Sequence, residues 1–180
     1  MSTALPATVV EAADVSAVTQ LVLRERCGRD LGLWEQMRDC FHEDSRVCLS
    51  WIDASGPEFV RRSREMADRG VRASHRLAPI LVTLAGERAI AQLGGIIDIP
   101  STIHGVEVML TSHARFLFRA ERRGGAWRLS AFDAIYHRDE ITCAIPGQSV
   151  VIDPAELKAY RPSYRLLAYC LGLGGFPVRD

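Results

Sequence analysis

The sequence has no apolar run approaching the roughly 18 residues that cross a bilayer. At its start there is no basic segment followed by an apolar stretch, so neither a membrane span nor a secretory leader is expected. An excess of either charge is also missing. Lys plus Arg and Asp plus Glu each number 22 among 180 residues, for a formal net charge of zero. That removes the electrostatic reason to expect DNA or RNA as a partner. The arginines at 61–64 and 119–123 form short, Glu-flanked stretches that read as solvated faces. The five cysteines, Cys27, Cys40, Cys48, Cys143 and Cys170, contain no C-x-x-C pair. An odd, scattered set is neither a disulfide framework nor a zinc site, and reduced thiols in the cytoplasm are expected. The histidines show no ligand-like spacing, so neither a metal nor another cofactor is expected.

What remains is a chain that is 48% hydrophobic and 24% charged, enough for one globular domain with a full core. After a loose lead-in over residues 1–8, Val15, Val18, Leu21 and Val22 mark one face of a helix running to Asp30. A second short helix is expected over Leu33–Phe41, a strand over Ser45–Ile52, and a third helix over Ser55–Gly70, with Pro57 in its first turn. Long strands then follow over His75–Leu84, Arg88–Ile99, Val106–Ala120 and Trp127–Arg138. Gly124-Gly125 reads as a hairpin turn, and Gly94-Gly95 as a bulge or bend inside a strand. Beyond Ile141 the pattern loosens, with two short helices expected in "DPAELKAY" and "PSYRLLAYCLGLG". The glycines of 172–176 follow a helix rather than a strand, which argues against a phosphate loop. Three helices followed by a strongly bent antiparallel sheet make an α+β plan with room for a small-molecule pocket in the curve.

An ordered set of residues narrows this plan. "RDLGLWEQMRDCFHEDSRV" (Arg29–Val47), "ASHRLAP" (Ala73–Pro79) and "TSHARFLFRAERRGGAWRLSAFDAIY" (Thr111–Tyr136) place Asp30, Trp34, His75, His113 and Trp127 in sequence. This pattern resembles the nuclear transport factor 2-like superfamily, and within it the polyketide-cyclase-like (SnoaL-like) and scytalone dehydratase-like branch. The resemblance covers residues 10–140. It implies a cone-shaped α+β barrel, with three N-terminal helices packed on a strongly curved mixed or antiparallel sheet. Residues 1–140 would form the domain, and 141–180 an extension packing on it or on a neighbouring subunit. It also implies a homo-oligomer, a dimer or trimer. The Asp–His dyad of the dehydratase-like members falls on Asp30 and His75, and a second pocket histidine on His113. The two tyrosines of scytalone-type enzymes are replaced by Arg29 and Leu49, and the last-strand arginine of dehydrochlorinase-like members by Phe132.

The chemistry of such a dyad follows from its parts. A buried carboxylate accepting from one imidazole nitrogen fixes the tautomer and leaves the other nitrogen as a base. Burial lowers the histidine pKa and the carboxylate raises it, which can leave it near neutral pH. Proton abstraction followed by loss of a leaving group needs no metal or cofactor. On the strand Val106–Ala120, Met109, Thr111 and His113 share one face. That face is assigned to the pocket, with Trp51, Phe59, Met66, Phe132 and Tyr136 as further walls. The expected function is a cofactor-independent lyase acting on a small hydroxylated aromatic or polycyclic substrate, by dehydration or by retro-aldol release of formaldehyde. The alternatives are an isomerase or cyclase, a non-catalytic ligand-binding domain, and a small oxygenase subunit that docks through its C-terminal segment.

Overall fold

The computed structural model describes residues 8–179. Except for Thr8, the expected lead-in lies outside the described residues. Thr8 opens helix α1 (Val9–Leu31). Its side chain accepts from the Glu11 N–H, and the Glu11 carboxylate accepts from the Thr8 N–H. The helix stops at Gly32, whose φ of 71° suits glycine. Helix α2 (Trp34–Asp39) ends short of Phe41, because the Cys40 carbonyl accepts the Leu129 N–H at 2.8 Å. That bond draws the chain into strand β1 (Phe41–Leu49) ahead of the expected start at Ser45. Strand β2 (Ile52–Ala54) folds back on β1. Helix α3 (Gly56–Asp68) then begins after Ser55, which caps it, with Pro57 in the first turn.

The strand expected over His75–Leu84 is divided into β3 (Ser74–Leu77) and β4 (Leu81–Ala85). Pro79 between them has no N–H for the ladder. Both pieces pair antiparallel with β5 (Arg88–Ile103), which pairs with β6 (Val106–Arg123), which pairs with β7 (Ala126–Cys143). The β6–β7 connection is the expected Gly124-Gly125 hairpin, with φ of 59° and 82°. The strand order is β2-β1-β7-β6-β5-β3, with β4 also on β5. Strand β1 joins β7 in parallel, so the sheet is mixed. This is the cone-like α+β plan, with helices packed on a curved mixed sheet.

Of the bulge or bend expected at Gly94-Gly95, no bulge appears on the β6 side, and on the other side pairing passes there from β4 to β3. The β5–β6 register runs unbroken from Arg88 opposite Glu121 to Ile103 opposite Val106. Gly95 serves close packing instead, since a Cβ there would overlap the Phe116 ring. Register shifts fall instead between β6 and β7, at His113/Ala114 and Arg119/Ala120, and between β1 and β7, at Phe41/Arg46. The concave side is an aromatic core in which Phe118 and Phe132 stack at 4.2 Å and Phe116 meets Phe132 edge-on at 5.6 Å.

Of the two helices expected in the tail, only the second forms, as α4 (Arg165–Leu173). The stretch 154–159 is a chain of turns whose bonds reach back three residues, and it is too short to support a helix by itself. Helix α4 packs on β6 and β7. Its first amides are not capped by its own N-terminal residue. The Asp139 carboxylate of β7 accepts the N–H groups of Leu166 and Leu167, both at 2.8 Å. Asp139→Ala should therefore cost about 1–2 kcal/mol. It should also expose the segment beyond Cys143 to protease, as measured by thermal melting and limited proteolysis.

Candidate active site

The site begins on α1. Val18, Leu21 and Val22 start its inward stripe, but the next inward positions are Glu25, Arg26 and Arg29, all buried. Burying charge is costly unless it is paired. Arg26 pairs with Glu25, donating from Nε and Nη2 to the two carboxylate oxygens at 2.5 Å each. The guanidinium rests 4.9 Å from the centre of the Phe132 ring. Its remaining arm, Nη1, lies 3.2 Å from His75 Nε2.

Strand β3 supplies His75 and α1 supplies Asp30. His75 Nδ1 is 2.5 Å from Asp30 Oδ1, and the His75 backbone N–H donates to Oδ2 at 2.7 Å. The tautomer follows from the partners. A guanidinium only donates, so Nε2 accepts from Arg26, and the ring proton sits on Nδ1 and is donated to Asp30. Burial pulls His75 below its ordinary 6.5. The Arg26 and Arg29 charges pull the same way, and the hydrogen bond to Asp30 opposes them. For Asp30, burial pushes upward, but hydrogen bonds from the His75 ring and backbone, with the Arg26 charge, hold it below 3.8. The resting pair at neutral pH is a neutral imidazole on an ionised carboxylate.

His75, Arg26 and Arg29 border a cavity of about 630 Å³, within the size range of small-molecule sites. Trp51, Phe59, Met66, Met109, Phe132 and Tyr136 all line it. Asp30 stands behind His75, off the lining. Burial pushes the Tyr136 phenol up, so it is protonated at neutral pH. Its oxygen lies 3.4 Å from the Ser50 N–H and 3.1 Å from Ser50 Oγ.

Two expected site residues are not brought there. The alternation along β6 is as expected, but its even-numbered residues face inward, with Leu110, Ser112, Ala114, Phe116 and Phe118 buried. Thr111 and His113 consequently lie on the outer face. Thr111 Oγ1 donates to Asp98 at 2.9 Å, and His113 Nε2 lies 3.1 Å from Glu140. Met109 shares the outward parity and is 36% exposed, yet still borders the cavity. Trp127 is structural, donating to Asp14 at 2.9 Å. The sequence reading missed Glu25 and Arg26 as site residues, and gave Arg29 no role in the site. The signal was present, in charges that interrupt an apolar stripe. It also missed the tail's contribution, since Leu167, Leu171 and Phe176 line the cavity. All five cysteines are free. Among the described residues, no group of His, Cys, Asp and Glu is placed to hold a metal, and no helix is long and apolar enough to cross a membrane.

The model of the SnoaL-like domain matches residues 10–133. The chain belongs to the SnoaL-like family. This SnoaL-like chain is 30% identical over 152 residues to an uncharacterized protein of Emericella nidulans, covering 80% of the chain and 64% of that protein. It is 28% identical over 164 residues to pea pathogenicity protein 2 of Fusarium vanettenii, covering 87% of the chain and 70% of that protein. It thus spans less than two thirds of the Emericella nidulans relative. Solved structures share the nuclear transport factor 2-like fold at low identity. Hexachlorocyclohexane dehydrochlorinase LinA-type3 of Novosphingobium barchaimii superposes with a TM-score of 0.63 at 16% identity, over 78% of this chain and 96% of that one. A single-substitution form of Rv3472 of Mycobacterium tuberculosis, a protein of unknown function, superposes with a TM-score of 0.59 at 15% identity, over 93% of this chain and 99% of that one.

Removing Arg26 leaves the Glu25 carboxylate, fully buried, without its partner. Arg26→Met should cost about 3–5 kcal/mol in urea unfolding, and the double change Glu25→Leu with Arg26→Met should recover most of it. A histidine depressed in the folded state binds fewer protons than the unfolded chain below about 6.5, so stability rises with pH in that window. Melting temperature should fall as pH drops below about 6.5, and His75→Gln should flatten that slope.

Proposed function

We propose that this SnoaL-like chain is a cofactor-independent lyase. It removes water, or another small group, from a small hydroxylated aromatic or polycyclic substrate. The carrying observation is a neutral His75, oriented by ionised Asp30, in the wall of a largely apolar cavity of about 630 Å³. In the elimination, His75 Nε2 takes a proton from substrate carbon. The released electron pair forms the new double bond, and the departing hydroxyl takes that proton from the His75 imidazolium and leaves as water, which restores the neutral ring. In the carbon–carbon route, Nε2 takes the hydroxyl proton of a hydroxymethyl group, formaldehyde leaves, and the carbanion recovers the proton. Either way the imidazolium forms against Asp30, while negative charge develops on the side of Arg26 and Arg29. Placing each charge beside its opposite in a largely apolar cavity lowers the barrier. For Nε2 to act, the substrate must displace or share the Arg26 N–H that now occupies its lone pair.

The Asp30–His75 contact favours catalysis over a binding-only domain, which requires no such pair. The segment 160–176, the expected docking element of an oxygenase subunit, buries Tyr164, Leu167, Ala168 and Leu171 on its own chain. A likeness to a dehydrochlorinase fold is compatible with elimination chemistry. A cytoplasmic dimer or trimer belongs to the same proposal.

The test is a panel of hydroxylated aromatic and bicyclic compounds incubated without cofactor and followed by mass spectrometry. Loss of water or of formaldehyde is expected, and an unchanged mass with altered chromatography would indicate isomerisation. His75→Gln should lower turnover by about 10²–10⁴-fold. Near-wild-type turnover in that variant would remove the proposal's centre.

A further inference from the structure

Three arginines line the cavity, and two are engaged. Arg26 is held by Glu25 and His75. Arg69 donates to the Gly174 carbonyl at 2.6 Å and stacks 4.1 Å from the Phe176 ring. Arg29 is different. It is 7% exposed and lines the cavity, yet no hydrogen bond or ion pair joins its guanidinium to any described residue. Its guanidinium lies 5.9 Å from the centre of the Trp34 ring. The carboxylates beside it in sequence are occupied: both Asp30 oxygens accept from His75, and both Glu25 oxygens accept from Arg26. Among the described residues, the only carboxylate on the cavity lining, Glu107, is exposed. The charges at this end of α1 still balance: buried Glu25 and half-buried Asp30 against buried Arg26 and Arg29. What Arg29 lacks is not a counter-charge in the neighbourhood but acceptors for its N–H groups.

A guanidinium is a planar fork matched to a carboxylate, and burying one without acceptors costs stability. The geometry points to Arg29 as the recognition residue for a carboxylate on the substrate, so that the lyase substrate is a hydroxylated aromatic or polycyclic acid. This assignment rests on reading the cavity as the substrate site. Burial pulls Arg29 down to about 10, which still leaves it a cation at neutral pH. An anion on Arg29 would offset one of the charges that depress His75, so the acid substrate itself would make the base stronger.

The experiment is independent of turnover. Benzoate and the neutral benzamide are titrated by calorimetry into wild type, Arg29→Gln, Arg29→Lys and His75→Asn. Wild type should favour benzoate by about tenfold or more, as a charge-assisted hydrogen-bonded pair provides. The preference should vanish in R29Q, persist in R29K, and persist in H75N. Equal binding of the two probes by wild type, no binding of benzoate, or a preference surviving in R29Q would overturn the assignment. If R29Q melts below wild type, a wild-type crystal grown with benzoate decides: a carboxylate on the Arg29 guanidinium supports the assignment, and one elsewhere overturns it. Because benzoate binding reads the anion site alone and the turnover of His75→Gln reads the base alone, the acid-substrate reading and the lyase reading can fail separately.

Discussion

A carboxylate and an imidazole held 2.5 Å apart require a helix and a strand from distant parts of the chain to be fixed against each other within a fraction of an ångström. The rest of the molecule can be read as the means of doing so. Helix α1 ends cleanly at Gly32, which sets the depth of Asp30. Strand β3 is a short piece severed from β4 at Pro79 and pinned to β5, with His75 opposite Ile97. The His75 backbone N–H then spends itself on the second Asp30 oxygen, so the carboxylate is gripped by ring and main chain of one residue. That double grip leaves the imidazole little freedom to turn.

The charged row on α1 shows why the site sits where it does. An apolar stripe buries a helix, and the same helix then carries Glu25, Arg26 and Arg29 into the interior. The Glu25–Arg26 pair has aromatic rings around it, which excludes water and strengthens every nearby electrostatic interaction. Arg26 is therefore more than a paired charge. By donating to Nε2 it fixes which histidine nitrogen carries the proton, and it pulls down the affinity of that nitrogen for another. Asp30 works in the opposite sense. The proton affinity of His75 is set by the balance of a cation on one side of the ring and an anion on the other.

The C-terminal segment has a part in the site that its loose sequence pattern hides. Anchored by Asp139 at the start of α4 and by the Arg69–Gly174 bond farther on, it places Leu167, Leu171 and Phe176 on the cavity. This part of the cavity wall comes from beyond residues 10–133, the stretch that the family model matches. Such walls are where one fold comes to accept different substrates.

Much of this was legible in the residues. Periodicity marked α1, Pro57 and Gly70 bounded α3, alternation marked β6, Gly124-Gly125 marked the hairpin, and the spacing of Asp30 and His75 resembled a known pairing. These are local or motif-level properties, carried by side-chain period, caps and turn chemistry. Alternation along β6 was equally plain, but not which side faced the cavity, since a period of two divides residues into two sets without saying which is inside. Thr111 and His113 were placed wrongly for that reason. Likewise, charges at 25, 26 and 29 could be read from the sequence, but whether each had a partner could not, because partners lie across the fold. The sequence by itself determined most of the elements, their order and the chemistry available. Only the tertiary structure decided which face looks inward, which charges are satisfied and which arginine lacks hydrogen-bond acceptors among the described residues, because burial and pairing are properties of neighbours in space rather than along the chain.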